Sequence, residues 1–164
     1  MGSSSQPPTS KPARDPRRSV SLERLSKARM RATNKSGDTI EVGEGEGAFS
    51  PVELMLAALG ACTAIDVDYL VSKRDEPTSL RIKVDADKIR DDGGNRLTDF
   101  VVTFDAQFAD TDAGRTAEQA MLWAVQQSHD RLCTITRTLE LGATVDSVIA
   151  LLPAGGSTAA TPVE

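Results

Sequence analysis

The residues best suited to chemistry are two cysteines in opposite halves of the chain. Cys62 lies within Leu56-Ala-Ala-Leu-Gly-Ala-Cys-Thr-Ala-Ile65 and Cys133 within Ser128-His-Asp-Arg-Leu-Cys-Thr-Ile-Thr-Arg-Thr-Leu139. They are too distant for a local C-x-x-C redox turn, so any chemistry they share requires the fold to bring them together. Each also has a plainer role as a small buried hydrophobe. The single His129, four residues before Cys133, is placed to share its helix face and raises a Cys-His nucleophile for acyl transfer; the ordinary alternative is a partly exposed helix-end histidine. Two cysteines and one histidine fall short of a structural zinc set, so no metal is expected. Gly43-Glu-Gly-Glu-Gly47 lies between a strand and a helix but lacks the GxGxxG spacing, and Glu44 and Glu46 would repel a pyrophosphate, so it is assigned as a loop.

Three helices and two hairpins must position these residues. Ser50, Pro51 and Glu53 form a capping-box start for a first helix running to about Arg74, and its apolar stretch Leu54 to Ile65 predicts a helix enclosed on every side, with Cys62 buried or nearly so. That stretch is shorter than the roughly 20 residues of a bilayer span, so no membrane anchor is expected. Thr116 and Gln119 suggest a second capping box for a helix to about Arg131, with Ala117, Ala120, Met121, Ala124 and Ser128 on one face and Trp123 as a core or interface anchor. Thr134 to Leu141 predicts a short third helix stopped by Gly142, although its threonines and Ile135 leave a strand open.

Ala28, Met30 and Ala32 alternate with Arg29, Arg31 and Thr33 ahead of an Asn34-Lys-Ser-Gly37 turn and a short strand Asp38 to Val42. A second hairpin joins Leu80, Ile82, Val84 and Ala86 to Phe100, Val102, Phe104, Ala106 and Phe108 through Asp91-Asp-Gly-Gly-Asn95. A closing strand near Ala143 to Leu151 completes a mainly antiparallel α+β pattern.

At 164 residues with 39% hydrophobic content the chain suits one domain, assigned to 27–151. Residues 1–26 are rich in Pro, Ser and basic side chains and are expected to be a disordered tail, and 152–164 a flexible one. Residues 1–35 carry +7 and the remainder −12. A basic arm without aromatics on an acidic body argues against nucleic acid. Two cysteines and no N-terminal hydrophobic region point to a reducing, cytoplasmic setting.

Ser50-Pro-Val-Glu-Leu-Met-Leu-Ala-Ala-Leu-Gly-Ala-Cys-Thr63 followed by Cys133-Thr-Ile-Thr-Arg-Thr-Leu139 resembles the OsmC/Ohr family of thiol-dependent peroxidases, and most closely its OsmC-like branch. The resemblance covers about residues 27 to 150 and implies central helices against antiparallel sheet in an intertwined homodimer. It also implies an organic hydroperoxide substrate, Cys62 as the residue oxidised to a sulfenic acid, and Cys133 as the thiol that closes a disulfide with it. An external dithiol would be the reductant, with no bound cofactor. The family's activating arginine is held by a glutamate. Here Val52 occupies the glutamate's position, Glu53 follows it, and Asp38 to Val42 carries no arginine. Arg29 and Arg31 are the nearest N-terminal substitutes, with Arg131 and Arg137 flanking Cys133 as further candidates. For Glu53 the capping role competes with a catalytic one. The alternatives are a non-catalytic binder of a small apolar ligand and the Cys-His hydrolase.

Overall fold

Alternation of apolar and charged residues along the N-terminal third produces a three-stranded antiparallel sheet of β1 (Ser21–Ser26), β2 (Arg29–Thr33) and β3 (Thr39–Gly43), in that order. The computed structural model describes residues 16–151 and 159–162. The expected tail segments 1–15, 152–158 and 163–164 therefore lie outside the described residues. β2 and β3 are the predicted first hairpin, in register Met30↔Val42 and Ala32↔Ile40. β1 was not anticipated: it occupies residues assigned to the tail and pairs Leu22 with Ala32. Its apolar content is only Leu22 and Leu25, too little to signal a strand without its partner. The chain divides into two compact units, one ending at Pro51 and the other beginning at Val52.

The second unit is built on the long hairpin of β4 (Ser79–Asp91) and β5 (Gly94–Gln107), with Val84 opposite Val102 and Ile82 opposite Phe104. The register slips between Asp85 and Asp87, where β5 carries an extra residue and Asp99 adopts φ 53°. A bulge reverses the in-out alternation beyond it. Leu97 thereby joins Phe100, Val102 and Phe104 as lining of one cavity, although simple alternation from Phe100 would put it on the opposite face.

Helix α1 (Pro51–Val71) buries Leu59, Gly60, Thr63, Val67 and Val71. Gly60 permits a close approach, because a Cβ there would stand 2.9 Å from Val84 Cγ2. Val67 and Val71 form the core with Ala124, flanked by Leu70, Phe104, Phe108, Met121 and Val125. By length and composition alone α1 is apolar enough to cross a membrane, but its buried stripe makes it the core helix of this unit. The expected all-round enclosure is not met within one chain: Met55, Ile65 and Tyr69 are exposed, and Cys62 is half-buried.

Helix α2 (Asp112–Gln127) starts earlier than predicted. Thr111 is its N-cap, accepting from Gly114 N at 3.0 Å, whereas Thr116 lies inside the helix and donates to Asp112 O at 2.8 Å. The true cap, Thr-Asp-Ala-Gly114, lacks the Glu or Gln that makes a capping box recognisable. Ala117, Ala124 and Ser128 are buried, as the face assignment anticipated. Trp123 does not join the core of this chain: it is half exposed beneath the Arg74 guanidinium, 5.6 Å from its ring centre. Helix α3 (Thr134–Leu141) ends where predicted, at Gly142 with φ 68°. β6 (Val148–Leu151) pairs antiparallel with β7 (Ala159–Pro162), the latter within the expected C-terminal tail.

Candidate functional site

Cys133 owes its place to a change of helical pitch. After Gln127 the backbone opens into one π-helical turn, Ser128–Leu132, closed by the Cys133 N–H donating to Ser128 O at 2.9 Å. Such single turns interrupt α-helices frequently at functional sites. This one turns the chain so that Cys133 becomes the N-cap of α3, its fully buried Sγ accepting the Thr136 N–H at 3.4 Å. The cap thus places sulfur at the N-terminal end of a helix, facing its backbone N–H groups.

Cys62, from the middle of α1, meets Cys133 at this point. Their sulfurs and a carboxylate oxygen of Asp66 all lie within 4.8 Å of one another. Asp66 follows Cys62 by four residues, about one helical turn, and so shares its face. Its carboxylate is held by buried Ser128, whose Oγ donates to Oδ2 at 3.0 Å. Asp66 and Ser128 are the site residues that the sequence argument missed. The available signal was a carboxylate one turn beyond a cysteine in an otherwise apolar helix.

Burial pushes the Cys62 thiol above its ordinary value. The backbone N–H of Ile135 acts against this, the neighbouring Cys133 sulfur adds to it, and the Thr134 N–H opposes it more weakly. The first turn of α3 therefore serves both sulfurs, without reversing the upward shift at Cys62.

The same unit holds a cavity of about 730 Å³, lined by neither thiol but largely by apolar side chains, including Leu59, Phe100, Val102 and Phe104. Thr63, next to Cys62, and Thr136, whose N–H meets Cys133, also line it. His129 and Glu140 contribute a polar patch and approach each other at 3.3 Å. Among the described residues no hydrogen bond joins His129 to either thiol, and its ring is turned to Glu140 instead.

The other predicted residues lie in the first unit, at the start of α1, or on either side of Cys133 with exposed side chains. Arg29 on β2 donates from Nε to Glu41 Oε2 at 2.7 Å and from Nη2 to the Glu46 carbonyl at 3.1 Å, and Arg31 lies 3.8 Å from the same Glu41 carboxylate. A glutamate on β3 thus holds both arginines, a pairing the sequence argument did not foresee. Glu53 is exposed in the first turn of α1. It precedes Cys62 by nine residues, which is about 13 Å along the axis and half a turn around it, so the helix does not bring it to the thiol of its own chain. Arg131 and Arg137 are exposed.

A hairpin-based α+β unit with two thiols meeting at a helix N-terminus defines the class of protein to which comparisons point. The family described as OsmC-like protein matches residues 43–148, and the chain belongs to that family. The fold is shared with solved structures. A hypothetical protein from Aquifex aeolicus VF5 is 22% identical with TM-score 0.62, over 76% of this chain and 87% of that one. An OsmC-like protein from Mycoplasma pneumoniae is 15% identical with TM-score 0.61, over 77% and 89%. An OsmC-like protein of unknown function from Vibrio cholerae O1 biovar eltor is 14% identical with TM-score 0.58, over 76% and 94%. No curated protein matches the sequence significantly.

Proposed function

We propose that the protein reduces organic hydroperoxides, with Cys62 as nucleophile and Cys133 as resolving thiol. The observation that carries this reading is the approach of the two sulfurs to within 4.8 Å from helices far apart in sequence; Thr136, whose N–H meets Cys133 Sγ, also lines a largely apolar cavity. The Cys62 thiolate attacks one peroxide oxygen, the O–O bond breaks, and the alkoxide leaves as an alcohol after taking a proton. Cys62 is then a sulfenic acid. The Cys133 thiol attacks its sulfur, the S–S bond forms as the S–O bond breaks, and the hydroxide departs as water with the proton of that thiol. An external dithiol returns the protein to its reduced form by exchange, and no bound cofactor enters the cycle. The exposed apolar residues of α1, Ile65 and Tyr69 among them, support assembly as a homodimer.

Cumene hydroperoxide is a suitable probe. One equivalent removes both free thiols without creating covalent dimers, and the Cys133→Ser variant stalls with a sulfenic acid on Cys62 that dimedone traps. Thiols that persist in the wild type would sink the two-cysteine mechanism. The raised Cys62 thiol favours a second reading, a non-catalytic member of the family that holds a small apolar ligand in the cavity. Co-purified ligand without peroxide consumption identifies it.

A further inference from the structure

We infer that Cys62, Cys133 and Asp66 together form a binding site for a thiophilic divalent cation of the zinc class when both thiols are reduced. The sequence showed only two cysteines and a histidine, and the histidine is engaged with Glu140. The fold supplies a different third donor, the Asp66 carboxylate, and gathers the three donor atoms within 4.8 Å of one another.

The geometry is close to that of a bound site. Zinc takes thiolate sulfur at about 2.3 Å and carboxylate oxygen at about 2.0–2.2 Å, so tetrahedral neighbours stand roughly 3.5–3.8 Å apart. A contraction of up to about 1.3 Å, within the reach of side-chain torsions, converts the observed cluster into three corners of that tetrahedron. The half-buried Cys62 and Asp66 leave the fourth corner for water. Two donors are mounted one turn apart on one helix, and the third is fixed by its capping role on another.

The surroundings orient the donors as the outer shell of a metal site does. Ser128 Oγ holds Oδ2 of Asp66 at 3.0 Å and the Thr136 N–H holds Cys133 Sγ at 3.4 Å. Electrostatics favours a cation here. Asp66 sets a carboxylate beside the two sulfurs. A divalent cation bound to both sulfurs deprotonates the thiols outright. Two sulfurs and one oxygen suit zinc and disfavour calcium or magnesium, which take oxygen donors. Binding exchanges one cation for two thiol protons and involves no change of oxidation state. Disulfide formation consumes both sulfur donors, so cation and disulfide exclude each other.

Full-length reduced protein, stripped of metal, is titrated with zinc chloride against a chromophoric chelator. The expected result is one zinc per chain with release of two protons near neutral pH, and no binding after oxidation to the disulfide. Cadmium in place of zinc gives the ultraviolet thiolate-to-metal absorption of two sulfur ligands. Cys62→Ser and Cys133→Ser each abolish high-affinity binding. Asp66→Asn, with its fold checked by circular dichroism, weakens it by about tenfold or more, the scale even outer-shell partners contribute. Reduced wild type that takes up no zinc at micromolar free concentration, or a folded Asp66→Asn that binds as tightly as wild type, overturns the inference. It is independent of the peroxidase reading: zinc uptake by a protein that consumes no peroxide leaves this site standing and removes that activity.

Discussion

Oxidation of Cys62 and Cys133 to a disulfide has a calculable consequence for stability. The bond would close a loop of about 70 residues, and the chain-entropy relation gives about 4.4 kcal/mol for that length. Native strain subtracts from this, because sulfurs within 4.8 Å must close to bonding distance, and engineered cross-links commonly deliver less than the relation predicts; an expected gain of about 3–4 kcal/mol follows. At about 3 °C per kcal/mol for a chain of this size, the melting temperature rises by roughly 10 °C. The assay compares urea unfolding, followed by far-ultraviolet circular dichroism, for reduced protein and for protein treated with one equivalent of cumene hydroperoxide. Cys62→Ser treated in the same way gains nothing. Complete loss of thiols with an unchanged midpoint would refute the reasoning, because the bond formed would not be the one closing this loop.

Other outcomes follow from single features. In the Cys133→Ser background, alkylation of Cys62 has its midpoint above the ordinary thiol value, since burial, the largest cause of the shift, persists; a midpoint below it, lost on Arg29→Ala or Arg31→Ala, would place an arginine beside this sulfur. Because the folded state holds the Cys62 proton more tightly than the unfolded chain, stability from this group is complete below the unfolded thiol pKa and declines as pH rises through the raised folded value, which urea midpoints across the alkaline range measure. Gly60→Val sets a side chain against Val84, where even a Cβ would lie at 2.9 Å, and costs about 1–3 kcal/mol of overpacking; an unchanged urea midpoint would show that α1 does not rest on β4 there. If the exposed apolar residues of α1 mark a subunit interface, the protein sediments as a dimer at low micromolar concentration and loses helix and dimer together in denaturant; a stable folded monomer would contradict this.

Local pattern carried much of this protein without any knowledge of the fold. Alternation in Leu80 to Ala86 and Phe100 to Phe108 specified the long hairpin, Pro51 and the apolar run after it specified α1, and Gly142 specified the end of α3, because each depends on backbone geometry within a few residues. The two cysteines were visible as candidates, since their residue type alone limits the chemistry available to them. Their meeting was not derivable from periodicity, because it requires α1 and α3 to converge across most of the unit. The same holds for β1, whose two leucines become a strand only when β2 supplies hydrogen-bond partners. Leu97 reaches the cavity through a bulge that reverses alternation, and Cys133 reaches its cap through a π turn that local propensity does not announce. Asp66 illustrates the division most clearly. Helical spacing sets it on the face of Cys62, but only the arrival of Ser128 and Cys133 from a distant segment gave that carboxylate a hydrogen-bond donor and a second sulfur as neighbours.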